Sequence, residues 1–233
     1  MPEPLKQYLN HFTRLFFPHV CEGCGTDVLN HDAVLCAACH AQLPETGFIE
    51  NAGNLVEKKF YGQLQVKASG AAYYFTKDGM LQQLIKLLKY HGNKEVGFYL
   101  GRQLGKYLSE TNRFNEVDII VPLPLNPRKE KKRGYNQAAV IAEGINSIWP
   151  KPVYTNAVER LIFTETQTHK DRISRWQSMR DVFAVTDTNA LTNKNILLVD
   201  DIITTGATLE ACGEKILQVQ GTRLFITTIA FTI

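Results

Sequence analysis

The sequence predicts an α/β fold, a parallel sheet flanked by helices, with a small separate module at the N-terminus. Three observations predict it. Val117-Asp118-Ile119-Ile120-Val121 and Asn195-Ile196-Leu197-Leu198-Val199 are near-continuous apolar runs, as strands buried on both faces of a parallel sheet require. Amphipathic helical stripes alternate with these runs. Residues 19–47 are short, turn-rich and cysteine-bearing, unlike anything downstream. A chain of 233 residues exceeds one domain of ~150 by about a small module. The expected division is 1–50 for the N-terminal helix and module, and 51–233 for the α/β domain.

In chain order, Leu5, Tyr8, Leu9, Phe12, Leu15 and Phe16 form one helical stripe ended by Pro18. Its polar face offers only Lys6 and Arg14, so it reads as a docking helix rather than a membrane-surface helix. Residues 64–76 alternate as a strand. Asp78 is the expected N-cap of a helix carrying Leu81, Leu84, Ile85 and Leu88, with Gly92 as its stop. Val96, Tyr99, Leu100, Leu104, Tyr107 and Leu108 mark the next helix. The first buried strand follows at 117–121, then a helix over 136–148 with Ala138, Ile141, Ala142, Ile145 and Ile148 on one face. After the strand at 195–199, Leu209, Cys212, Ile216 and Val219 define a helix stopped by Gly221, and Leu224 to Phe231 is a last strand. Cys212 shares a face with Leu209 and Ile216 and reads as a core residue.

A net charge of +3 argues against a strongly basic nucleic-acid binder, but the charge is uneven. Residues 1–50 hold two Lys/Arg against six Asp/Glu, while residues 128–180 hold eleven against five. No segment approaches the ~18 consecutive apolar residues of a membrane span. The start, Met-Pro-Glu-Pro, has no secretory pattern, and the five cysteines are an odd number. The expectation is a reducing, cytoplasmic setting without a disulfide framework.

Cys21-Glu-Gly-Cys24 and Cys36-Ala-Ala-Cys39 are two Cys-x-x-Cys turns separated by eleven residues. Two such turns facing each other complete a tetrahedron of thiolates around Zn²⁺, and four thiolates leave no open position for catalysis. The expected role of Cys21, Cys24, Cys36 and Cys39 is therefore a structural zinc site. His19 and His40 flank it as alternative ligands. A redox Cys-x-x-Cys is the competing reading, disfavoured by the doubling and by the absence of a βα unit. Glu22, Asp27 and Asp32 leave the module without the basic charge of a nucleic-acid reader.

The richest stretch runs Ile196-Leu-Leu-Val-Asp200-Asp201-Ile-Ile-Thr204-Thr205-Gly206-Ala207-Thr208. A buried strand delivers two carboxylates, and a loop of hydroxyls and one glycine opens a helix. Helix N-terminal amides favour a phosphate, and Gly206 permits close backbone approach. Thr204, Thr205 and Thr208 add donors. Strand alternation sends Asp200 and Asp201 in opposite directions unless the chain turns between them. Carboxylates suit sugar hydroxyls or a Mg²⁺ shell, so the stretch reads as a ribose-5-phosphate cradle. Receiver domains and phosphatases also carry an Asp pair at a strand end, but without the Thr-Thr-Gly-x-Thr continuation.

This pattern resembles the phosphoribosyl pyrophosphate (PRPP) signature of type I phosphoribosyltransferases. With a four-cysteine module before it, the chain resembles the ComF family, amidophosphoribosyltransferase-like and competence-associated. Lys89-Tyr90-His91-Gly92, Val121 to Arg128 continuing to Arg133-Gly134-Tyr135-Asn136-Gln137, and Gln167-Thr168 with Arg175-Trp176 and Phe183 resemble its further elements. Ser178 stands where the family element carries asparagine. The resemblance implies a type I phosphoribosyltransferase-like domain in a bacterial protein. It also implies Asp200 and Asp201 as catalytic carboxylates at the ribose or the metal's water shell, and residues 204–208 at the 5-phosphate. It places the pyrophosphate loop at 128–133.

Five of the six residues Arg128 to Arg133 are basic. Arginine forks and lysine ammoniums suit a pyrophosphate. Arg133 and Arg128, with Lys89, would neutralise that leaving group. Lys170, Arg172, Arg175 and Arg180 sit in a polar loop of the kind that closes over such sites. Lys129 and Lys131 read more simply as solvated charges, and the whole run also fits a DNA or RNA phosphate track. His91 and His169 read as solvated, and Trp176 as a loop-packing residue or a base stacker.

Two functions follow. The first is Mg²⁺-dependent transfer of the 5-phosphoribosyl group from PRPP to an unidentified acceptor, with zinc as a structural ion. The second is a non-catalytic nucleotide or single-stranded DNA binding accessory of competence and DNA uptake, working with a helicase-type partner. The complete Asp-Asp/Thr-Thr-Gly cradle favours the first, and the lack of an identifiable general base favours the second.

Overall fold

The computed structural model describes residues 20–27, 33–161 and 182–232. The expected helix at 5–17 and the expected loop at 164–180, with its basic residues, His169, Trp176 and Ser178, lie outside the described residues. The chain divides into two compact units between Leu43 and Pro44. Residues 44–46 join the second unit because they pair antiparallel with a strand of it. Tyr74 donates its amide to the Pro44 carbonyl at 2.7 Å, and Thr46 donates to Ala72 at 2.9 Å.

In the N-terminal unit, helix α1 (Ala37–Ala41) begins at Cys36, whose sulfur accepts from the Cys39 amide. The second unit opens with α2 (Leu55–Phe60), capped by Asn54, whose side chain accepts from the amides of Val56 and Glu57. Strand β1 (Val66–Phe75) follows, then α3 (Met80–Tyr90) and α4 (Lys94–Glu110). The α3 cap is Gly79, with no side-chain bond, and not Asp78. Asp78 sits at φ +59°, in the left-handed region, and its amide donates to the Gln82 side chain. A residue with that backbone cannot take the extended conformation of a cap.

Strand β2 (Ile119–Pro122) leads into α5 (Pro127–Arg133) and α6 (Gln137–Ile148). The short ribbon β3 (Val158–Arg160) and β4 (Phe183–Val185) is antiparallel. Then come α7 (Thr188–Leu191), β5 (Asn195–Ile203), α8 (Ala207–Leu217) and β6 (Arg223–Thr232).

The main sheet is parallel, in the order β1-β6-β5-β2. Residues of β5 alternate in direction, as every strand must. Ile196 and Leu198, with Leu224 and Ile226 of β6, share one core with Phe60, Leu209, Cys212, Ile216 and Phe183. That face is covered by α2, α8 and the β3–β4 ribbon. Helices α3, α4 and α6 pack on the sheet, and the alternate residues Leu197, Val199, Phe225 and Ile229 are equally buried toward them.

This arrangement locates a crevice. Strands β2 and β5 are neighbours, yet the chain leaves β5 toward α8 and leaves β2 toward α6. Where connections depart to opposite faces, the carboxyl ends of adjacent strands open a cleft for a ligand. Residues 123–136 and 200–208 border it.

Candidate functional site

Strand β5 extends to Ile203, four residues past the apolar run that marks it in the sequence, so both aspartates belong to the sheet. Their side chains part accordingly. Asp201 faces the α3 side and its Oδ2 lies 2.9 Å from Nζ of Lys89, with the carboxylate side chain only 9% exposed. Asp200 faces the α8 side. Its carboxyl is pushed up to about 8, first by burial and then by the negative charge of Asp201, with the Asp201 amide, Lys89 and Arg160 working against the shift. The Asp201 amide donates to Oδ1 of Asp200 at 2.8 Å. Buried Cys212 lies close enough to Asp200 for that carboxylate, together with burial, to push its thiol up.

The loop after β5 presents Thr204, Thr205, Ala207 and Thr208 to solvent, whereas Gly206 is buried. Gly206 is the N-cap of α8 at φ +89°. Any side chain there would be strained, and a Cβ would come 3.3 Å from the Phe60 ring. The amide of Ala207 points at the Thr205 hydroxyl at 3.4 Å. The helix has eleven residues, long enough for its dipole to act at this terminus.

Residues 127–133 differ from the expected loop. They form α5, with Pro127 in the first turn, the Asn126 side chain accepting from the Arg128 amide, and Gly134 at φ +81° closing the C-terminus. Those are helix start and stop signals. No residue of α5 is buried. One side of it faces a cavity of about 290 Å³ lined by Lys89, Tyr90, Lys129, Lys132, Arg133 and Tyr135. Arg133 donates to Oε1 of Gln137 at 2.6 Å and lies over the Tyr90 ring, 5.5 Å from its centroid. Tyr135 donates its hydroxyl to the Leu88 carbonyl, tying the start of α6 to α3. The structure therefore brings Lys89, Arg133 and Asp201 together, with Lys89 shared between cavity and carboxylate. Lys129 joins the cavity lining although the sequence reads it as solvated. Arg128 is exposed and stands apart from that lining. Tyr90 and Tyr135 sit inside the stretches that carry the resemblance but have no ligand role assigned from sequence, and Arg160 lies in no motif at all.

In the N-terminal unit the sulfurs of Cys21, Cys24, Cys36 and Cys39 lie within 4.8 Å of one another. Cys24 and Cys36 are 3.8 Å apart. A tetrahedron with Zn–S distances of about 2.3 Å has edges of about 3.8 Å. The Cys36 and Gly23 amides point at the Cys21 sulfur at 3.2 and 3.4 Å. Burial opposes ionisation of Cys21, but the amides of Cys36, Cys24 and Gly23 outweigh it and bring the thiol down to about 6. Cys39 is pushed up to about 12 by burial and by its neighbouring thiols. The cluster is compatible with a structural zinc.

No protein-family profile matches the chain. It is 26% identical over 197 residues to Competence protein F of Haemophilus influenzae, covering 83% of this chain and 76% of that one. The chain is similar to the competence proteins over most of its length. It is also 27% identical over 150 residues to Competence protein ComFC of Bacillus subtilis, covering 62% of this chain and 56% of that protein. Among solved structures, the glutamine PRPP amidotransferase of B. subtilis, complexed with ADP and GMP, aligns at a TM-score of 0.44 and 14% identity. That alignment covers 61% of this chain and 30% of the amidotransferase chain. As in the expected competence-associated class, an α/β unit with a parallel sheet follows a four-cysteine cluster. No helix among the described residues is long and apolar enough to cross a membrane.

Proposed function

We propose that this chain binds PRPP, or another ligand built on ribose 5-phosphate, in the crevice at the carboxyl ends of β2 and β5, and transfers the phosphoribosyl group to an acceptor. The observation that carries the reading is the junction of β5 and α8: two carboxylates, three threonines and a left-handed glycine at a helix N-terminus. The amides of residues 206–208 and the hydroxyls of Thr204, Thr205 and Thr208 receive the 5-phosphate. Asp201 accepts from the ribose hydroxyls once Lys89 swings away from it. Lys89 and Arg133 then meet the pyrophosphate in the basic cavity between α3 and α5. Carboxylate and hydroxyl oxygens are hard donors that fit Mg²⁺, and Asp201, beside Lys89, would hold it or its waters, whereas Asp200 turns toward α8 and would reach the ion only if it ionised and rotated away from that face. Magnesium supplies charge neutralisation at the departing pyrophosphate. The residues themselves act by positioning and by fixed charge as the ribose turns cationic.

Calorimetric titration of PRPP with Mg²⁺ into the full chain tests this. Wild type binds, and Asp201→Asn binds at least about tenfold more weakly, the loss of one charge-assisted contact. A wild-type chain with no PRPP heat overturns the reading. Pyrophosphate release in the presence of acceptors separates a transferase from a ligand-binding accessory. The names of the competence relatives and the exposed basic face of α5 support the second role, nucleotide or single-stranded DNA binding. Its signature is DNA affinity that falls with salt and with charge reversal at Lys129 and Lys132.

A further inference from the structure

Lys89 belongs to two sites at once. It lies in the last turn of α3, next to Tyr90, which ends the helix. Its root is fixed, because the Leu88 side chain is fully buried and the Leu88 carbonyl accepts from the Tyr135 hydroxyl. Its side chain is 21% exposed, and a four-carbon stem lets the ammonium swing while the backbone stays still. At one end of that swing is Asp201, 2.9 Å away. The Asp201 carboxylate is 9% exposed and is left almost no open surface for a sugar hydroxyl while the ammonium sits on it.

At the other end is the cavity of about 290 Å³ that Lys89 shares with Lys129, Lys132 and Arg133. No carboxylate lines it, and neither Lys129 nor Lys132 has an ion-pair partner among the described residues. Unbalanced cations around a cavity draw a polyanion. One ammonium cannot serve both places. Uncovering Asp201 leaves a mostly buried carboxylate without its cation, which is costly. An anion in the cavity offsets that cost by giving the ammonium a new partner. A sugar phosphate with no second anion offers nothing in exchange, so it has to compete with Lys89 for Asp201.

We propose that Lys89 is a specificity-determining residue: by covering Asp201 it rejects ribose 5-phosphate and admits a sugar phosphate that carries a polyanion at C1. This rests on the phosphoribosyl reading of the β5–α8 junction and adds to it what sets the choice of ligand. The specificity comes from a competing group that the wrong ligand cannot displace. It also makes the sugar and polyanion subsites cooperative. A polyanion that captures Lys89 frees Asp201 for the sugar, and a sugar that displaces Lys89 sends a cation toward the polyanion, by the same coupling energy in both directions.

Calorimetry on the full chain, with PRPP and ribose 5-phosphate titrated separately in the presence of Mg²⁺, tests the selection. Wild type binds PRPP at least about a hundredfold more tightly than ribose 5-phosphate. Lys89→Met binds PRPP more weakly, yet binds ribose 5-phosphate at least about tenfold more tightly than wild type does. That gain is the signature, because removing a positive charge ordinarily weakens the hold on an anion. Lys89→Arg, which still reaches the carboxylate, restores the wild-type order of affinities. A second measurement needs no variant. In magnesium-free buffer, where no shared ion links the two ligands, inorganic pyrophosphate raises the wild-type affinity for ribose 5-phosphate, although neighbouring anions repel. PRPP binding by wild type with no gain for ribose 5-phosphate in Lys89→Met, or pyrophosphate and ribose 5-phosphate that bind independently or oppose each other, overturns the selection alone. A wild-type chain that binds neither PRPP nor ribose 5-phosphate removes the phosphoribosyl reading, and the selection with it.

Discussion

Asp200 and Asp201 are adjacent in sequence and live on opposite faces of one sheet. Strand alternation makes this legible in advance, but the partners that define each carboxylate are not. Lys89 reaches Asp201 across more than a hundred residues of chain, and Cys212 and Arg160 reach Asp200 from α8 and β3. The consequence for Asp200 is a pH dependence. Its folded pKa, about 8, lies above the ordinary carboxylate value of 3.8. The folded state therefore holds a proton that the unfolded chain releases, and stability falls as pH rises from about 4 through about 8. Thermal melts between pH 5 and 9 without ligand show this slope in wild type, and Asp200→Asn flattens it and melts higher than wild type at pH 8.5. Identical slopes for the two proteins refute the assignment.

A second residue-scale device holds the outer edge of the sheet, where α2 meets β1. Arg113 donates to the carbonyls of Phe48 and Ile49 at 2.8 and 2.7 Å and pairs with Glu57. Asn54 donates to Phe48, Asn51 and Ser69 carbonyls, and Glu57 accepts from the Ser69 amide at 3.4 Å. The Arg113 and Glu57 side chains are 16% and 14% exposed. Arg113→Met leaves the mostly buried Glu57 carboxylate without its cation and the Ile49 carbonyl without its Arg113 donor, while the Phe48 carbonyl keeps Asn54, a loss of about 3–5 kcal/mol. Urea unfolding reads it, and a loss under about 1 kcal/mol would show the knot to be dispensable. Nothing in the local sequence announces it, because no pair in it except Asn54 with its own helix shares a periodic pattern.

At the scale of elements, helices α4 and α6 approach closely because glycines face each other. A Cβ on Gly101 would stand 2.2 Å from the Ile141 carbonyl oxygen, and one on Gly144 2.3 Å from that of Phe98. Both obstacles are backbone, which cannot move aside as a side chain can. Alanine improves helix propensity by about 1 kcal/mol at such positions. Here the forced separation outweighs that, and Gly101→Ala or Gly144→Ala destabilises by about 1–3 kcal/mol in denaturant titrations. A stabilised variant would mean that the contact is loose. The helices themselves are legible from their apolar stripes, but the stripes do not show that the glycines are the contact. Helix α5 teaches the converse. Asn126, Pro127 and Gly134 are ordinary helix punctuation, yet a run of five basic residues out of six has no apolar stripe to mark a helix, and the loop expected there comes from the family resemblance alone. Strands β3 and β4 are three residues each, too short for alternation to register.

At the scale of the whole molecule, the two units hold together for different reasons. The second unit, residues 44–233, buries both faces of a four-stranded sheet and needs no ion for that core. The N-terminal unit ends at Leu43, and its described buried apolar residues are Cys21, Val34, Leu35, Cys39 and Leu43. Units of about 40 residues rarely fold on so small a core, and a five-residue helix such as α1 has no stability of its own. Two of the five core residues are themselves cysteines of the cluster, so core and cluster are one object. A metal taken by these four cysteines would therefore bind and fold this unit in one step. Elemental analysis gives one zinc per chain. On chelation, amide exchange protection collapses at residues 33–41 and stays at its original level in β5 and β6. A metal-free chain that keeps protection at 33–41, or a chelated chain whose sheet also opens, contradicts the division of labour between thiolate cluster and sheet.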